Sequence, residues 1–108
     1  SLPDEEELSM DGDYEKLIAQ SIHDKNYRLA VRYLYLKSLQ KLALSGAIIF
    51  ASDKTNYQYV REVSGKTYRD MFATITLHYE YVWYGEFDID ETRFNKLQTE
   101  FKQFYNRI

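Results

Sequence analysis

Two histidines, a cluster of acids at positions 88–91 and a lysine–threonine pair at 54–55 are the side chains of this sequence best suited to chemistry. His23 is followed by Asp24, and His78 has Glu80 two residues on. Neighbours at those offsets point to different sides of a helix. Neither histidine has a second histidine or an acid three or four residues away, the spacing that puts two metal ligands on one helical face. The sequence therefore predicts no metal site, with His23 solvated and His78 at a helix surface or boundary. Asp88, Asp90 and Glu91 could in principle work as paired acids or hold calcium. Acids at the start of a helix are also the ordinary answer to its dipole, and that is the reading taken. The serines lack the G-x-S-x-G context of a nucleophile elbow, and the four glycines are isolated, so no phosphate-cradling loop is legible. No catalytic residues and no cofactor are expected. Lys54 and Thr55 form the one candidate small-anion site, a lysine beside free backbone donors at a helix start. The plainer reading of Thr55 is a helix cap.

Arg28 and Arg32 stand one helical turn apart, where like charges repel slightly. Something must answer them: an internal acid such as Glu80 or Glu62, or an acidic segment of a partner. Eleven tyrosines accompany them. That is too many for all to be fully buried, and an exposed tyrosine–arginine patch has the composition of an interaction hot spot. Arg28, Arg32, Tyr33, Trp83 and Tyr84 are the candidate partner-binding residues. Trp83 carries the competing expectation of a core position, since tryptophan is highly buried on average.

The elements that must position these groups follow from periodicity and caps. Asp13 is a plausible cap for a helix running to about Asp24, with Tyr14, Leu17, Ile18, Ser21 and Ile22 at helical spacing. After Lys25-Asn26, a second helix runs from about Tyr27 to Ser45 and stops at Gly46 in a left-handed turn. Its apolar residues wrap most of its circumference, which marks it as the central helix. Residues 47–52 are the only β-like stretch, too short for a sheet and read as an extended connection. Thr55 and Gln58 form a capping box for a third helix ending near Ser64. A fourth starts at Thr67 and ends at Gly85. Residues 86–89 read as a loop. Asp90 caps the fifth, with Ile89 and Phe94 at the staple positions, and Phe94, Leu97, Phe101, Phe104 and Ile108 make one apolar stripe. The fold class is all-α, a compact bundle of about five helices with at most a short β-like connection near 47–52.

At 108 residues the chain is one domain long and can bury a core without disulfides or metals. It has no cysteine, which excludes a disulfide framework, a thiolate zinc site and a cysteine nucleophile. No apolar run approaches the roughly 18 residues needed to span a bilayer, no signal peptide is legible, and the segment reads as soluble. The net charge of −3 hides an asymmetry. Residues 1–15 hold seven acids and no base, leaving ten of the seventeen acids and all fourteen bases in the rest. Residues 1–12 therefore read as an acidic flexible linker and residues 13–108 as a single helical domain, which from residue 16 on carries a surplus of four positive charges. That surplus is too weak to argue for nucleic acid.

Tyr27-Arg28-Leu29-Ala30-Val31-Arg32-Tyr33-Leu34-Tyr35-Leu36, then Lys54-Thr55-Asn56 with Tyr59, then Val82-Trp83-Tyr84-Gly85 occur in order. Together, over about Asp13 to Phe104, they resemble the bacterial domain-of-unknown-function family 4129, in the style of Bacteroides-like bacteria. The resemblance implies a C-terminal domain that follows a transmembrane helix, on the cytoplasmic face of the inner membrane. Some relatives carry it behind an extracytoplasmic transglutaminase-like domain. That chemistry does not carry over, because its cysteine belongs to another domain. The resemblance also implies AAA-type ATPases or von Willebrand A-type proteins as possible partners. The expected function is an interaction or regulatory module, not an enzyme. A small-anion or nucleotide sensor at Lys54 and Thr55, and a purely structural end-cap, are the alternatives.

Overall fold

The computed structural model describes residues 12–85 and 88–108. The acidic linker expected over 1–12 therefore lies outside the described residues except for Gly12, as do Glu86 and Phe87 of the expected 86–89 loop. Five helices make up the described chain: α1 (Tyr14–His23), α2 (Tyr27–Leu44), α3 (Asn56–Glu62), α4 (Arg69–Tyr84) and α5 (Glu91–Tyr105). No strand occurs among the described residues, and 47–52 is an irregular connection. The all-α bundle read from the sequence is the observed architecture.

The helix starts are set by local chemistry. Asp13, Asn26 and Asp90 each accept a bond from the backbone N–H three residues on, at Lys16, Leu29 and Arg93. Thr55 and Gln58 make the full capping box. The helix ends repeat one solution twice. Gly46 N–H donates to the Ala43 carbonyl and Ala47 N–H to that of Leu42, with Gly46 at φ +82°. Lys25 N–H donates to the Ile22 carbonyl and Asn26 N–H to that of Ser21, with Lys25 at φ +57°. Both are Schellman ends, and the left-handed position that suits glycine is filled by lysine in the first.

α4 begins at Arg69, two residues after the Thr67 start expected from sequence. Residues 63–69 run through successive tight turns, with Lys66 N–H donating to Val63 and Arg69 N–H to Lys66. Tyr68 then occupies the cap position without a side-chain cap bond. Its ring goes inward instead, edge-on to Phe104 with centroids 5.5 Å apart. Burial of that ring competes with capping and decides where the helix starts.

α2 is the central helix, and α1, α4 and α5 all pack on it. The contacts fix the directions. Tyr14 meets Tyr33 and Lys37 pairs with Glu15, so α1 runs antiparallel to α2. Arg28 reaches Trp83 while Tyr35 stacks on Phe72 and Tyr79, so α4 is antiparallel too. Tyr27 stacks on Phe94 and the Tyr105 hydroxyl donates to the Leu34 carbonyl, so α5 is parallel to α2. The core between α2, α4 and α5 is a run of aromatic rings. Tyr35 lies parallel to Tyr79 at 4.3 Å, and Phe72 bridges Tyr35 to Phe104. The Tyr35 and Thr76 hydroxyls, both buried, sit 3.2 Å apart, which satisfies the polar end of that stack.

Candidate interaction surface

The two arginines of α2 meet aromatic rings and the end of α4. Arg28 Nη2 donates to the Trp83 carbonyl at 2.5 Å, and the guanidinium lies 3.9 Å from the Trp83 ring centroid. Trp83 is in the last turn of α4, where carbonyls lack partners within the helix and the dipole is negative. Arg28 thus caps α4 from outside. Arg32 Nη1 donates to the Tyr79 hydroxyl, and its guanidinium faces the rings of Tyr79 and Trp83 at 5.9 and 5.3 Å. The acids expected to answer these arginines are engaged elsewhere: Glu62 with Lys54, and Glu80 with Asn56. Arginine over aromatic faces gains cation–π energy while its long stem covers apolar surface. That explains how two like charges tolerate one-turn spacing.

The five residues singled out as a contact surface therefore separate. Arg28, Arg32 and Trp83 form one seam, half-buried or buried, between α2 and α4. Tyr33 is buried on a different side of α2, against Tyr14 of α1. Trp83 takes the core position its residue type suggested. Of the five, Tyr84 alone stays largely exposed, with only its edge approaching Tyr79.

Lys54 and Thr55 are likewise engaged within the fold. The Lys54 ammonium donates to the Ile49 carbonyl at 2.5 Å and pairs with Glu62 at 2.7 Å, fastening the 47–54 connection to α3. Partial burial works to raise the Glu62 pKa. Hydrogen bonds from Lys54 and from the Ile49 N–H, with the lysine's charge, overcome it and leave the carboxyl below its ordinary value. Thr55 spends its hydroxyl and its N–H on the capping box with Gln58.

Burial drives the hydroxyls of the core the other way. Tyr79 is pushed up to about 12 by desolvation, against the opposing charge and hydrogen bond of Arg32. Tyr35 and Tyr105 are raised above the tyrosine range by burial, each partly offset by a side-chain hydrogen bond, to Thr76 and to Ser38. Tyr68 is raised by burial alone.

What the sequence reading missed is the outer face of α4. Leu77, Tyr81 and Tyr84 are 66%, 59% and 67% exposed. Their offsets of four and three residues align them along one side of the helix. Tyr57, 68% exposed on α3, adds a further ring, with the Arg61 guanidinium 5.7 Å from its centroid. Next to this face, between α4 and α5, lies a groove of about 420 Å³ that Tyr81 shares. Val82, Ile89 and Leu97 give it an apolar lining, and His78, Asp88, Asp90, Arg93, Lys96 and Glu100 surround them. His78 Nδ1 is 3.0 Å from Glu100 Oε1 but out of line for a hydrogen bond, so the contact is a charge contact when the ring is protonated. The helical spacing of Leu77, Tyr81 and Tyr84 was legible, but it needed to be read as a second stripe beside the core stripe. Among the described residues, no three histidine or acid side chains converge as a metal cluster would require. No helix among the described residues is long and apolar enough to cross a membrane. No known family, curated protein or solved structure matches the chain.

Proposed function

We propose that this chain is a protein–protein interaction module whose contact surface is the outer face of α4, and that it receives there an amphipathic helix with a basic flank. The observation that carries the reading is the exposure of Leu77, Tyr81 and Tyr84 along one side of a helix whose other side is fully engaged in the core. Three large side chains in a row make one contiguous exposed patch rather than scattered single residues, and tyrosine is a favoured hot-spot residue. A row at this spacing fits the ridges of a second helix. Charge selects that helix. α4 carries no lysine or arginine after Arg69, Glu80 lies in the same helix, and Asp88 and Asp90 follow its negative end.

The setting of the module is part of the same proposal and rests on the family resemblance of the sequence. In it, the parent protein is membrane-anchored, the module faces the cytoplasm of a bacterium, and its partner is an AAA-type ATPase or a von Willebrand A-type protein. The test places a photo-reactive phenylalanine analogue at position 81 or 84 of the parent protein in its own cells, with position 25 as the control. The reading predicts adducts from 81 and 84 that map to a basic amphipathic helix and disappear in a Leu77→Asp background. Adducts that form equally from position 25, or that survive Leu77→Asp, would overturn it.

A further inference from the structure

The two most exposed large apolar side chains among the described residues lie away from the outer face of α4. Ile49 is 75% exposed and Leu44 70% exposed. Both are purely aliphatic, with no polar tip of their own to place in water. Leu44 is the last residue of α2, and Ile49 follows in the connection to α3, where its N–H donates to Glu62 at the end of α3. Cations gather at this same end of the bundle. α4 is antiparallel to α2 and α5 parallel to it, so the start of α4 and the end of α5 bring Lys66, Arg69 and Arg107 beside Lys41, Lys54 and Arg61. Asp53, Glu62 and Asp70 are the acids there, and two of them are already paired, Glu62 with Lys54 and Asp70 with Arg69. The opposite end gathers Asp24, Asp88, Asp90 and Glu91 against Lys25 and Arg93. The backbone beneath the two aliphatic side chains has its polar groups engaged. Ile49 donates its N–H to Glu62, and its carbonyl accepts from Lys54. At the end of α2 the carbonyls of Lys41, Leu42 and Ala43 accept from the N–H groups of Ser45, Ala47 and Gly46.

We propose that this end of the bundle docks on an anionic lipid surface, with Leu44 and Ile49 inserted at the boundary between headgroups and acyl chains and the surrounding cations over the headgroups. Aliphatic side chains among lysines and arginines are the chemistry of interfacial anchoring: apolar area enters the boundary while the cations stay with anionic lipid. A peptide group taken out of water is costly unless it is already bonded within the protein, and these two tips carry their bonds with them. A nucleic acid would use the cations and leave both aliphatic side chains in water. The chain's net charge is −3, so the attraction is one of orientation, with the acidic end turned away from the lipid. Leu77, Tyr81 and Tyr84 run from the middle of α4 to its far end, so the lipid contact leaves that row clear.

The test is co-sedimentation of the full chain with vesicles of equal parts phosphatidylserine and phosphatidylcholine, compared with vesicles of phosphatidylcholine alone. The proposal predicts binding several-fold stronger to the anionic vesicles, weakened by salt. Leu44→Ser with Ile49→Ser should lower that binding roughly tenfold, and Lys66→Glu several-fold, both with unchanged helical circular dichroism. Leu77→Ser with Tyr84→Ser should leave it unchanged. Fluorescence gives a second readout, because Trp83 is the chain's one tryptophan and lies buried at the opposite end. An Ile49→Trp chain should shift its emission to the blue on anionic vesicles, and the parent chain should not. Equal binding to both kinds of vesicle, or binding to neither, would overturn the proposal. Binding that survives Leu44→Ser with Ile49→Ser would overturn it too, by leaving charge alone, which a nucleic acid or an acidic protein meets equally well. Binding lost in Leu77→Ser with Tyr84→Ser would overturn it by moving the lipid contact to α4.

Discussion

Tyr79 and Tyr81 are two residues apart on α4 and face nearly opposite ways, as a 3.6-residue turn requires. Tyr79 is fully buried, stacked on Tyr35 and holding Arg32. Tyr81 is 59% exposed in a row with Leu77 and Tyr84. The inner face is a packed seam in which two arginines engage a tryptophan and a tyrosine through their terminal nitrogens and their guanidinium faces. The outer face carries tyrosines too, and there the described chain leaves each of them more than half exposed. The difference teaches that tyrosine and arginine together do not mark an interface. Tyrosine occurs on both faces of α4, and the phase of the helix decides which ring joins the seam and which stays exposed.

The largest expected contrast comes from truncating one ring on each face. Tyr79→Ala removes a fully packed aromatic and is expected to cost about 3–5 kcal/mol. Tyr81→Ala should cost under about 1 kcal/mol. Chemical denaturation of the two variants measures the difference, and equal losses would dissolve the distinction between the faces.

Alkaline titration probes the same division with no truncation. A tyrosine raised in the folded state keeps its proton after the unfolded chain has lost it, near pH 10. The stabilisation is complete below pH 10 and is lost as pH rises, for Tyr79 through about 12. Over that window Tyr79 alone contributes about 2–3 kcal/mol, and Tyr35, Tyr68 and Tyr105 shift in the same direction. Denaturation midpoints measured from pH 8 upward should fall beyond pH 10. The fall should be shallower in Tyr79→Phe.

Arg28→Ala tests the seam from the side of α2. It removes a charged donor from the Trp83 carbonyl and a cation from the indole face, an expected loss of about 1–3 kcal/mol. Thermal unfolding checks it, and Arg28→Lys should recover only part, since an ammonium cannot both stack and reach the carbonyl as a guanidinium does.

The smallest effect concerns the two Schellman ends. Lys25 holds a left-handed conformation that Gly46 adopts without penalty. Lys25→Gly is expected to stabilise by up to about 1 kcal/mol, and Gly46→Ala to destabilise by a similar amount. Nothing lies within 4 Å of a Cβ added at Gly46, so backbone conformation alone sets that cost.

Most of the fold was legible because it is written in local signals. Asp13, Asp90 and the Thr55–Gln58 box are caps that read the same in sequence and in structure. The all-round apolar pattern of α2 correctly marked it as central. The start of α4 was not legible, because inward packing of Tyr68 on Phe104 is a long-range event that overrides the start expected at Thr67. The setting of the two arginines was hidden for the same reason. Charge alone offers Arg28 and Arg32 an acid of the chain or of a partner, whereas the chain folds them onto Trp83 and Tyr79, some fifty residues away. Lys25 in a glycine position gave no sequence signal at all.

The central claim is that the arginine seam holds the fold while the outer face of α4 is kept for a partner. Its most direct test is a denaturation midpoint for two double variants, Arg28→Ala with Arg32→Ala, and Leu77→Ser with Tyr84→Ser. The arginine pair should lower the midpoint substantially, and the outer-face pair should leave it near that of the parent chain. An arginine pair of unchanged stability would free those side chains for a partner and contradict the account, as would an outer-face pair that unfolds just as readily.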